Sequence, residues 1–260
     1  MPFSTLRLEF DAAIATVTLN RPEKRNAISR EMLAELPAAL EAVASSPSRV
    51  AILTGAGQAF CSGMDLEALK AISGQSHEEN LEDSRLMMRL FLAVYRFPKP
   101  LIAAVNGPAI AGGCGIATLC DFTLAAPDAA FGYTEARIGF IPAIVAVFLL
   151  RQVGEKQARD LLLTGRTLKA EEAQRLGLVN EVAPAEKLLE RARELAGSLL
   201  ANSPTSLVHT KRLLRAISDQ ELERQLEMAV DANAGIRSTA DFREGLAAFL
   251  EKRKPNWSGE

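Results

Sequence analysis

The segment NGPAIAGGCGIATLC, at Asn106–Cys120, decides the fold and the chemistry that this chain can carry. It follows an apolar, strand-like segment, Leu101–Val105, and ends in an apolar run that predicts a short helix or a second strand. Gly112 and Gly113 lie where the strand passes into the helix. Because glycine has no side chain, their N–H groups can approach a ligand closely, at the positive end of a helix dipole. The segment therefore predicts a backbone site for negative charge.

A second turn of the same kind lies upstream. The segment AFCSGMDL, at Ala59–Leu66, follows the predicted strand Val50–Thr54 and offers another N–H group next to a glycine. Two N–H donors from separate turns are what an oxyanion developing on a carbonyl group requires. Downstream, Gly132–Pro142 places Glu135 in an apolar, glycine-rich turn. We expect desolvation there to raise the pKa of this carboxyl group toward neutrality, so that it can exchange a proton with carbon.

Composition limits the class of protein and of partner. With 260 residues and 48% hydrophobic residues, the chain suits one large domain or one domain plus a small appendage. The net charge of −2 provides no strong field for nucleic acid or an anionic membrane surface. The three cysteines have no CxxC spacing and few histidines to join them, which predicts reduced thiols and no metal site. The N-terminus does not resemble a signal peptide, so we expect a cytoplasmic protein with no membrane partner.

Strand-like and helix-like periodicities alternate along the chain and begin with a predicted β-hairpin. Ser29 is the predicted N-cap of a helix whose apolar stripe contains Pro37, which we expect to bend or interrupt it. The polar residues 73–82 predict a mobile loop. From Pro184 onward the pattern is helical throughout. This order predicts an α/β core followed by a C-terminal helical appendage.

Six pieces of the sequence, in register, resemble the enoyl-CoA hydratase/isomerase (crotonase) superfamily, and its bacterial hydratase-like members in particular. They are NRPEKRNAIS at Asn20–Ser29, AFCSGMDL at Ala59–Leu66, NGPAIAGGCGIATLCD at Asn106–Asp121, FGYTEARIGFIP at Phe131–Pro142, LTGRTLKAEEAQRLGLVNEV at Leu163–Val182 and EGLAAFLEKRKPNW at Glu244–Trp257. The resemblance implies an α/β, ClpP-like spiral of ββα units with two roughly perpendicular sheets. It also implies a core at residues 1–195, with the CoA and catalytic site, and a helical trimerisation region at residues 196–260.

The resemblance further implies roles for individual residues. The N–H groups of Met64 and Gly112 would form an oxyanion hole for the thioester oxygen of an acyl-CoA, and Glu135 would move the proton. The positions that match those holding adenine and phosphates are Lys24, Arg25, Ser62, Asp65 and Leu66. Phe249 and Lys252 match positions that reach a CoA bound by a neighbouring subunit. Coenzyme A would then be part of the substrate, with no other cofactor and no metal, in a homotrimer or a hexamer of two trimers.

One position departs from the pattern of the family's hydratases, which usually carry two glutamates. The residue three positions after the oxyanion-hole glycine is Gly115, whereas the second glutamate is present as Glu135. One carboxyl group is enough to move a proton between two carbons, which shifts a double bond. Addition of water normally uses a second group to orient the water. Bacterial hydratases of branched substrates such as 3-methylglutaconyl-CoA resemble this chain in having glycine there.

The preferred interpretation is an enzyme that reversibly hydrates a 2-enoyl-CoA through an oxyanion-stabilised enolate. The main alternative is a Δ3-Δ2 enoyl-CoA isomerase that uses Glu135 alone. A further alternative is a non-catalytic acyl-CoA-binding protein, against which the presence of Glu135 argues. Structural explanations also exist for single residues: Glu135 could pair with Arg137, the two glycines could serve only close packing, and Asp65 could be a helix N-cap.

Overall fold

Strands and helices alternate through most of the chain in the computed structural model, which describes residues 3–72 and 74–259. The strands are β1 (Leu6–Asp11), β2 (Ile14–Leu19), β3 (Val50–Gly55), β4 (Leu101–Val105), β5 (Ala109–Ile110), β6 (Phe122–Ala125), β7 (Ala130–Gly132), β8 (Thr167–Lys169) and β9 (Glu181–Val182). The α-helices are α1 (Arg30–Ser45), α2 (Leu66–Ile72), α3 (His77–Tyr95), α4 (Gly112–Thr118), α5 (Ala143–Thr164), α6 (Ala170–Arg175), α7 (Leu188–Leu200), α8 (Pro204–Ser218), α9 (Leu222–Ile236) and α10 (Ala240–Leu250). Short 3-10 turns lie at Pro22–Lys24, Glu135–Ile138 and Ala185–Lys187.

The larger sheet has the strand order β1-β2-β3-β4-β6-β9. The β1–β2 hairpin is antiparallel, as the sequence predicts, and the remaining neighbours are parallel. Val50–Thr54 of β3 and all of β4 are buried, in agreement with their apolar sequences. Parallel strands need both faces covered, which explains why they do not alternate between apolar and polar residues.

The smaller sheet brings two loops of the site to one edge. Its order is β5-β7-β8, and β5 pairs parallel with β7, with Ile110 opposite Gly132. Parallel strands end at the same edge of a sheet. Gly112 begins α4 just after β5, and Glu135 begins its 3-10 turn just after β7. The pairing therefore places these two positions, which are distant in sequence, side by side.

The structure corrects two local predictions, an interruption of α1 at Pro37 and a loop over residues 73–82. Pro37 lies inside α1, but the helix runs without interruption from Arg30 to Ser45, with Ser29 accepting a hydrogen bond from the Met32 N–H at 3.3 Å as its N-cap. Proline costs an interior helix position about 3 kcal/mol. The buried apolar face of α1 outweighs that cost; its members are Met32, Leu33, Leu36, Ala39, Leu40 and Val43.

The loop predicted at residues 73–82 is replaced in part by helix. α3 begins at His77, because Ser76 and Glu79 form a reciprocal capping box. Asn80, within the predicted loop, is buried and contacts Arg237, and the neighbouring Ser84 is buried and contacts Asn233 of α9. Ser73, the first residue of the predicted loop, lies outside the described residues.

The C-terminal region is helical, and the predicted α/β class with a helical C-terminal part is confirmed. α7 packs against β3 and β4, and the predicted boundary at residue 195 falls inside it. α9 packs against α3 and α5, and α10 packs on the 3-10 turn that begins at Glu135. Among the described residues, no helix is both long and apolar enough to cross a membrane.

Candidate active site

A single cavity of about 590 Å³ collects most of the residues that the sequence singles out. The predicted site residues in its wall are Lys24, Arg25, Ser62, Met64, Asp65, Leu66, Gly112, Glu135 and Phe249. Lys252 is not in the wall, and lies just beyond α10 at an exposed position with φ 55°. The cavity therefore brings together residues from both ends of the chain around the two glycine-rich turns.

The N–H groups of Met64 and Gly112 are free to bind a ligand. Met64 forms a parallel bridge with Ile28, in which the Ile28 N–H donates to Gly63 O at 2.8 Å and the Asp65 N–H donates to Ile28 O at 3.0 Å. In that pattern the N–H of Met64 points away from Ile28. Gly112 is the first residue of α4, so its N–H has no partner within the helix. Neither N–H donates a hydrogen bond to any residue that the structure describes.

Close packing between glycines and backbone holds the two turns together. A Cβ on Gly63, whose φ is +90°, would lie 3.1 Å from Ile110 O. A Cβ on Gly113 would lie 2.3 Å from Cys61 O, so no side chain fits there. Ala111, two residues before Gly113, has φ 52°, and its N–H donates to Gly132 O at 2.7 Å. The close packing suggested for the two glycines is therefore present at Gly113. This packing positions the N–H of the neighbouring Gly112.

Glu135 has a carboxyl group with no charged partner in the described part of the chain. Its Oε2 is buried and has no hydrogen-bond partner among the described residues. Burial raises the pKa of Glu135 from 4.5 to about 7. The suggested ion pair with Arg137 is absent from the described part of the chain; the Arg137 side chain instead packs near Gly165, whose Cβ position is 3.3 Å from Arg137 Cγ. Glu135 can therefore change protonation state near neutral pH.

These features match a known family over almost the full length of the chain. The sequence fits the family model described as Enoyl-CoA hydratase/isomerase over residues 9–260. The chain belongs to the enoyl-CoA hydratase/isomerase family. The predicted membership is confirmed, and it makes the protein an enzyme of the hydratase family with an acyl-CoA substrate.

Individual relatives agree in sequence and in fold. A Thermus thermophilus protein whose name places it with the enoyl-CoA hydratases is 49% identical over 245 residues, which cover 94% of this chain and 97% of that protein. The crotonyl-CoA hydratase of Syntrophomonas wolfei is 35% identical over 99% of both chains. A crystal structure of an enoyl-CoA hydratase/isomerase from Xanthobacter autotrophicus Py2 superposes with a TM-score of 0.89 at 34% identity, and the match covers 97% of this chain and 98% of that chain. The crotonase fold predicted from the sequence is confirmed.

The space around Gly115 distinguishes this family member from one with two glutamates. A Cβ at Gly115 would lie 2.7 Å from Val145 Cγ1 and 3.0 Å from Phe91 Cε1. Both of those residues line the cavity. The volume into which a glutamate side chain would extend is therefore filled by apolar groups.

Asp65 combines a structural role with a place in the wall. Its Oδ1 accepts a hydrogen bond from the Glu67 N–H at 2.9 Å, at the start of α2, and its Oδ2 lies 2.8 Å from Arg21 Nη1. Although burial opposes the change, these partners lower the pKa of Asp65. The N-cap interpretation is consistent with this geometry, and a contact between its backbone and substrate stays a prediction.

The C-terminal helix belongs to the same cavity. Phe249 of α10 lines the cavity of its own chain and is 50% exposed. Contacts of Phe249 and Lys252 with a CoA bound by a neighbouring subunit stay a prediction. Two glycines allow α10 to pack tightly on the turn at Glu135: a Cβ on Gly245 would lie 2.4 Å from Ile138 O, and one on Gly139 would lie 2.4 Å from Asp241 O.

Sequence reasoning missed a polar part of the wall. Asn233 and Arg237, four residues apart on the C-terminal side of α9, line the cavity and are buried. Their partners, Asn80 and Asp83, lie on α3, Asn80 inside the segment predicted as a loop and Asp83 just after it. A polar i,i+4 pair on a helix usually indicates an exposed face, so the sequence alone contains no signal for this network.

Proposed function

We propose that this enzyme reversibly hydrates the double bond of a 2-enoyl-CoA. The observation that carries the proposal is the buried, unpaired carboxyl group of Glu135 in one cavity with the free N–H groups of Met64 and Gly112. The names of the relatives, among them the crotonyl-CoA hydratase of Syntrophomonas wolfei, support hydration as the reaction. Coenzyme A is part of the substrate, and the absence of any further cofactor stays a prediction.

In this proposal the two N–H groups hold the thioester oxygen. Ionised Glu135 takes a proton from water as the water oxygen bonds to C3, and the double-bond electrons move onto the thioester oxygen as an enolate. The N–H groups stabilise that negative charge. The enolate then collapses as C2 takes the proton from Glu135, so the carboxyl group returns to its ionised form and one water has been added.

The cationic side chains at one part of the wall suit the rest of the ligand. Lys24 is 49% exposed at its side chain and pairs with Glu67 at 3.5 Å, and Arg25 lies beside it in the wall. Phosphates of coenzyme A would approach these cations, and the backbone near Ser62 and Leu66 would contact the adenine. An exposed pair such as Lys24 and Glu67 is weak enough to rearrange for a phosphate.

A Δ3-Δ2 enoyl-CoA isomerase is the second candidate, and one observation favours it. Because Val145 and Phe91 fill the space at Gly115, Glu135 is left as the carboxyl group that can transfer protons at the thioester. Glu135 would remove a proton from C2 and return it to C4, with the dienolate held by the same N–H groups. A non-catalytic acyl-CoA-binding protein would not need a carboxyl group with a raised pKa at this point.

Ultraviolet absorbance of the conjugated thioester separates these candidates. Purified protein is mixed with but-2-enoyl-CoA in one cuvette and with hex-3-enoyl-CoA in another. Loss of absorbance in the first cuvette supports hydration. A rise in the second without change in the first identifies an isomerase. No change in either, with CoA binding retained in calorimetry, would contradict both enzymes for these chain lengths, and a branched enoyl-CoA such as 3-methylglutaconyl-CoA is then the decisive substrate.

The same proposal includes assembly as a homotrimer, or as a hexamer of two trimers. α8 has no buried residue in the single chain, and it exposes Leu213, Leu214 and Ile217 to 60%, 59% and 65%. Apolar residues at this spacing form one stripe of a helix, which supports burial against another subunit. The cytoplasmic location stays a prediction.

A further inference from the structure

The polar network in the wall of the cavity links α3 with α9. Arg237 Nη1 donates to Asn80 Oδ1 at 3.1 Å and lies 2.8 Å from Asp83 Oδ2. Its Nη2 donates to Asn233 Oδ1 at 2.9 Å. The guanidinium also lies 5.5 Å from the centre of the Phe140 ring. The Arg237 side chain is only 1% exposed, so this is a cation held in an apolar wall.

Two N–H donors of the network lack a partner among the described residues. Asn233 Oδ1 accepts from Arg237 and lies 2.8 Å from Ser84 Oγ, whose one proton is shared between Asn233 Oδ1 and Asn80 O. A guanidinium has five N–H groups, of which the hydrogen bonds to Asn80 and Asn233 engage two. Arg237 Nε is buried, and it has no partner among the residues that the structure describes. Asn233 Nδ2 likewise donates to no described residue. Because Arg237 Nε is enclosed, the donor left for a ligand in the cavity wall is Asn233 Nδ2.

These donors lie beyond the oxyanion hole along α3. Met87 and Phe91 of α3 lie beside Gly112, whose Cβ position is 3.9 Å and 3.7 Å from their side chains. Ser84 and Asn80, which contact the network, lie about one and two turns nearer to the start of α3 than Met87. At 1.5 Å per residue, they are about 5 and 10 Å from Met87 along the helix axis. An acyl chain that starts at the oxyanion hole and follows α3 would reach Asn233 and Arg237 with its distal end.

We propose, on the basis of the proposed function, that the preferred substrate is an enoyl-CoA whose acyl chain carries an oxygen acceptor at its distal end. Asn233 Nδ2 would bind that oxygen, next to the positive charge of the Arg237 guanidinium. A plain hydrocarbon end would leave this donor unsatisfied, whereas a carboxylate or ketone oxygen would satisfy it. Asp83 already balances the charge of Arg237, so both a charged and a neutral oxygen are compatible with the network.

The experiment compares four substrates with the same thioester and the same double bond. Hex-2-enoyl-CoA is the reference, and the others carry a carboxylate, a methyl ketone or an ammonium group at the end of the chain. We expect kcat/KM to be about tenfold or more higher for the oxygen-ended substrates than for the reference, and lower for the ammonium-ended substrate. The carboxylate and ketone arms separate a charged from a neutral acceptor.

A matched pair of variants tests which atoms give the preference. Asn233→Asp replaces the free amide donor with an acceptor but keeps an oxygen for Ser84 and Arg237. Asn80→Asp adds the same charge beside the same guanidinium, but Asn80 is not in the cavity wall. We expect Asn233→Asp to lower the ratio of carboxylate to reference kcat/KM about tenfold or more, and Asn80→Asp to change it less than threefold. Thermal unfolding establishes that both variants are folded.

The outcomes separate this inference from the proposed function. Equal or better turnover of hex-2-enoyl-CoA than of both oxygen-ended substrates would overturn the inference and leave the enzyme activity standing. An equal fall for all substrates in Asn233→Asp would show that the network only supports the fold, and would also overturn it. No turnover of any substrate would contradict the proposed function itself.

Discussion

Burial makes the ionisation of Glu135 unfavourable, and the raised pKa that results is useful for catalysis. In the apolar wall, with Oε2 unpaired among the described residues, burial raises its pKa to about 7. A carboxyl group near neutrality can both take and return a proton at carbon, because neither protonation state is strongly favoured. The same group in water, at its ordinary pKa of 4.5, would be too weak a base to share a proton with an enolate.

This gives a definite pH dependence. Hydration and isomerisation both begin with ionised Glu135, so kcat/KM should be constant above pH 7 and fall about tenfold per pH unit below it. Glu135→Gln cannot take a proton and should lower kcat/KM at least a hundredfold at pH 8. The measurement is kcat/KM from pH 5 to 9, with the exposed Glu227→Gln as control. A profile flat through pH 6, or an active Glu135→Gln, would contradict the assignment.

The neighbours of Gly115 leave no room for a side chain at this position. In Gly115→Ala the new Cβ would lie 2.7 Å from Val145 Cγ1, and a β-branched side chain on a helix has little freedom to turn away. We expect the free energy of unfolding to fall by about 1–3 kcal/mol, although alanine is the better helix former. Gly197→Ala in α7, where nothing lies within 4 Å of the new Cβ, is the matched control and should gain about 0.5–1 kcal/mol.

Urea unfolding of the two variants checks this prediction. If Gly115→Ala gained as much stability as Gly197→Ala, the space at Gly115 would be open. Val145→Ala added to Gly115→Ala should recover part of the loss, because it removes the methyl group in conflict. Failure of that rescue would place the conflict elsewhere, for example at Phe91.

At the scale of elements, α10 acts as a support for the turn that carries Glu135. Gly245 and Gly139 let the backbones of helix and turn approach more closely than any side chain allows. Phe242 and Leu246 of α10 add buried contacts with Phe140, which follows the turn. The position of Glu135 therefore depends on a helix more than a hundred residues later in the chain.

Gly245→Ala should separate these elements. Its Cβ would lie 2.4 Å from backbone atoms of Ile138, which cannot rotate away, so α10 or the turn must shift. A shift of about 1 Å at a catalytic group can cost about a hundredfold in rate. We expect a fall in kcat/KM of ten- to hundredfold, together with faster amide exchange at residues 135–139. Gly235→Ala in α9, whose Cβ would meet nothing within 4 Å, should change neither quantity.

At the scale of the whole molecule, one surface of the helical region remains without a partner in the single chain. Leu213, Leu214 and Ile217 on α8 and Met228 on α9 are each more than half exposed. Exposed apolar stripes of this kind indicate an interface between proteins. We expect light scattering to give three or six times the mass of the 28.0 kDa chain.

Replacement of Leu214 by Glu should break that assembly if α8 lies in the interface. The added charge would have to be buried without a partner, which strongly disfavours association. The measurement is the mass of Leu214→Glu at micromolar concentration, with the exposed polar replacement Arg212→Glu as control. A monomeric wild-type protein, or a Leu214→Glu protein of unchanged mass, would contradict the proposed interface.

The sequence by itself determined the features that depend on nearby residues. The glycines at 112 and 113, the hairpin, the N-cap at Ser29 and the buried strands β3 and β4 all follow from local backbone geometry and from patterns within a few residues. The cavity also collects every site residue named from the sequence except Lys252. Family motifs made that possible, and in those that supply Met64 and Gly112 the glycines shape the turn.

Only the tertiary structure decided the features that depend on residues far apart. The parallel pairing of β5 with β7 places Glu135 beside Gly112, and its buried Oε2 has no partner among the described residues, although Arg137 is two residues away. The segment 73–82 looked like a loop because it is polar, yet Asn80 within it is buried against Arg237, more than a hundred residues later. From the sequence alone a polar side chain is predicted to be exposed, because the partner that would allow its burial is not known. Burial is a property of the folded chain as a whole.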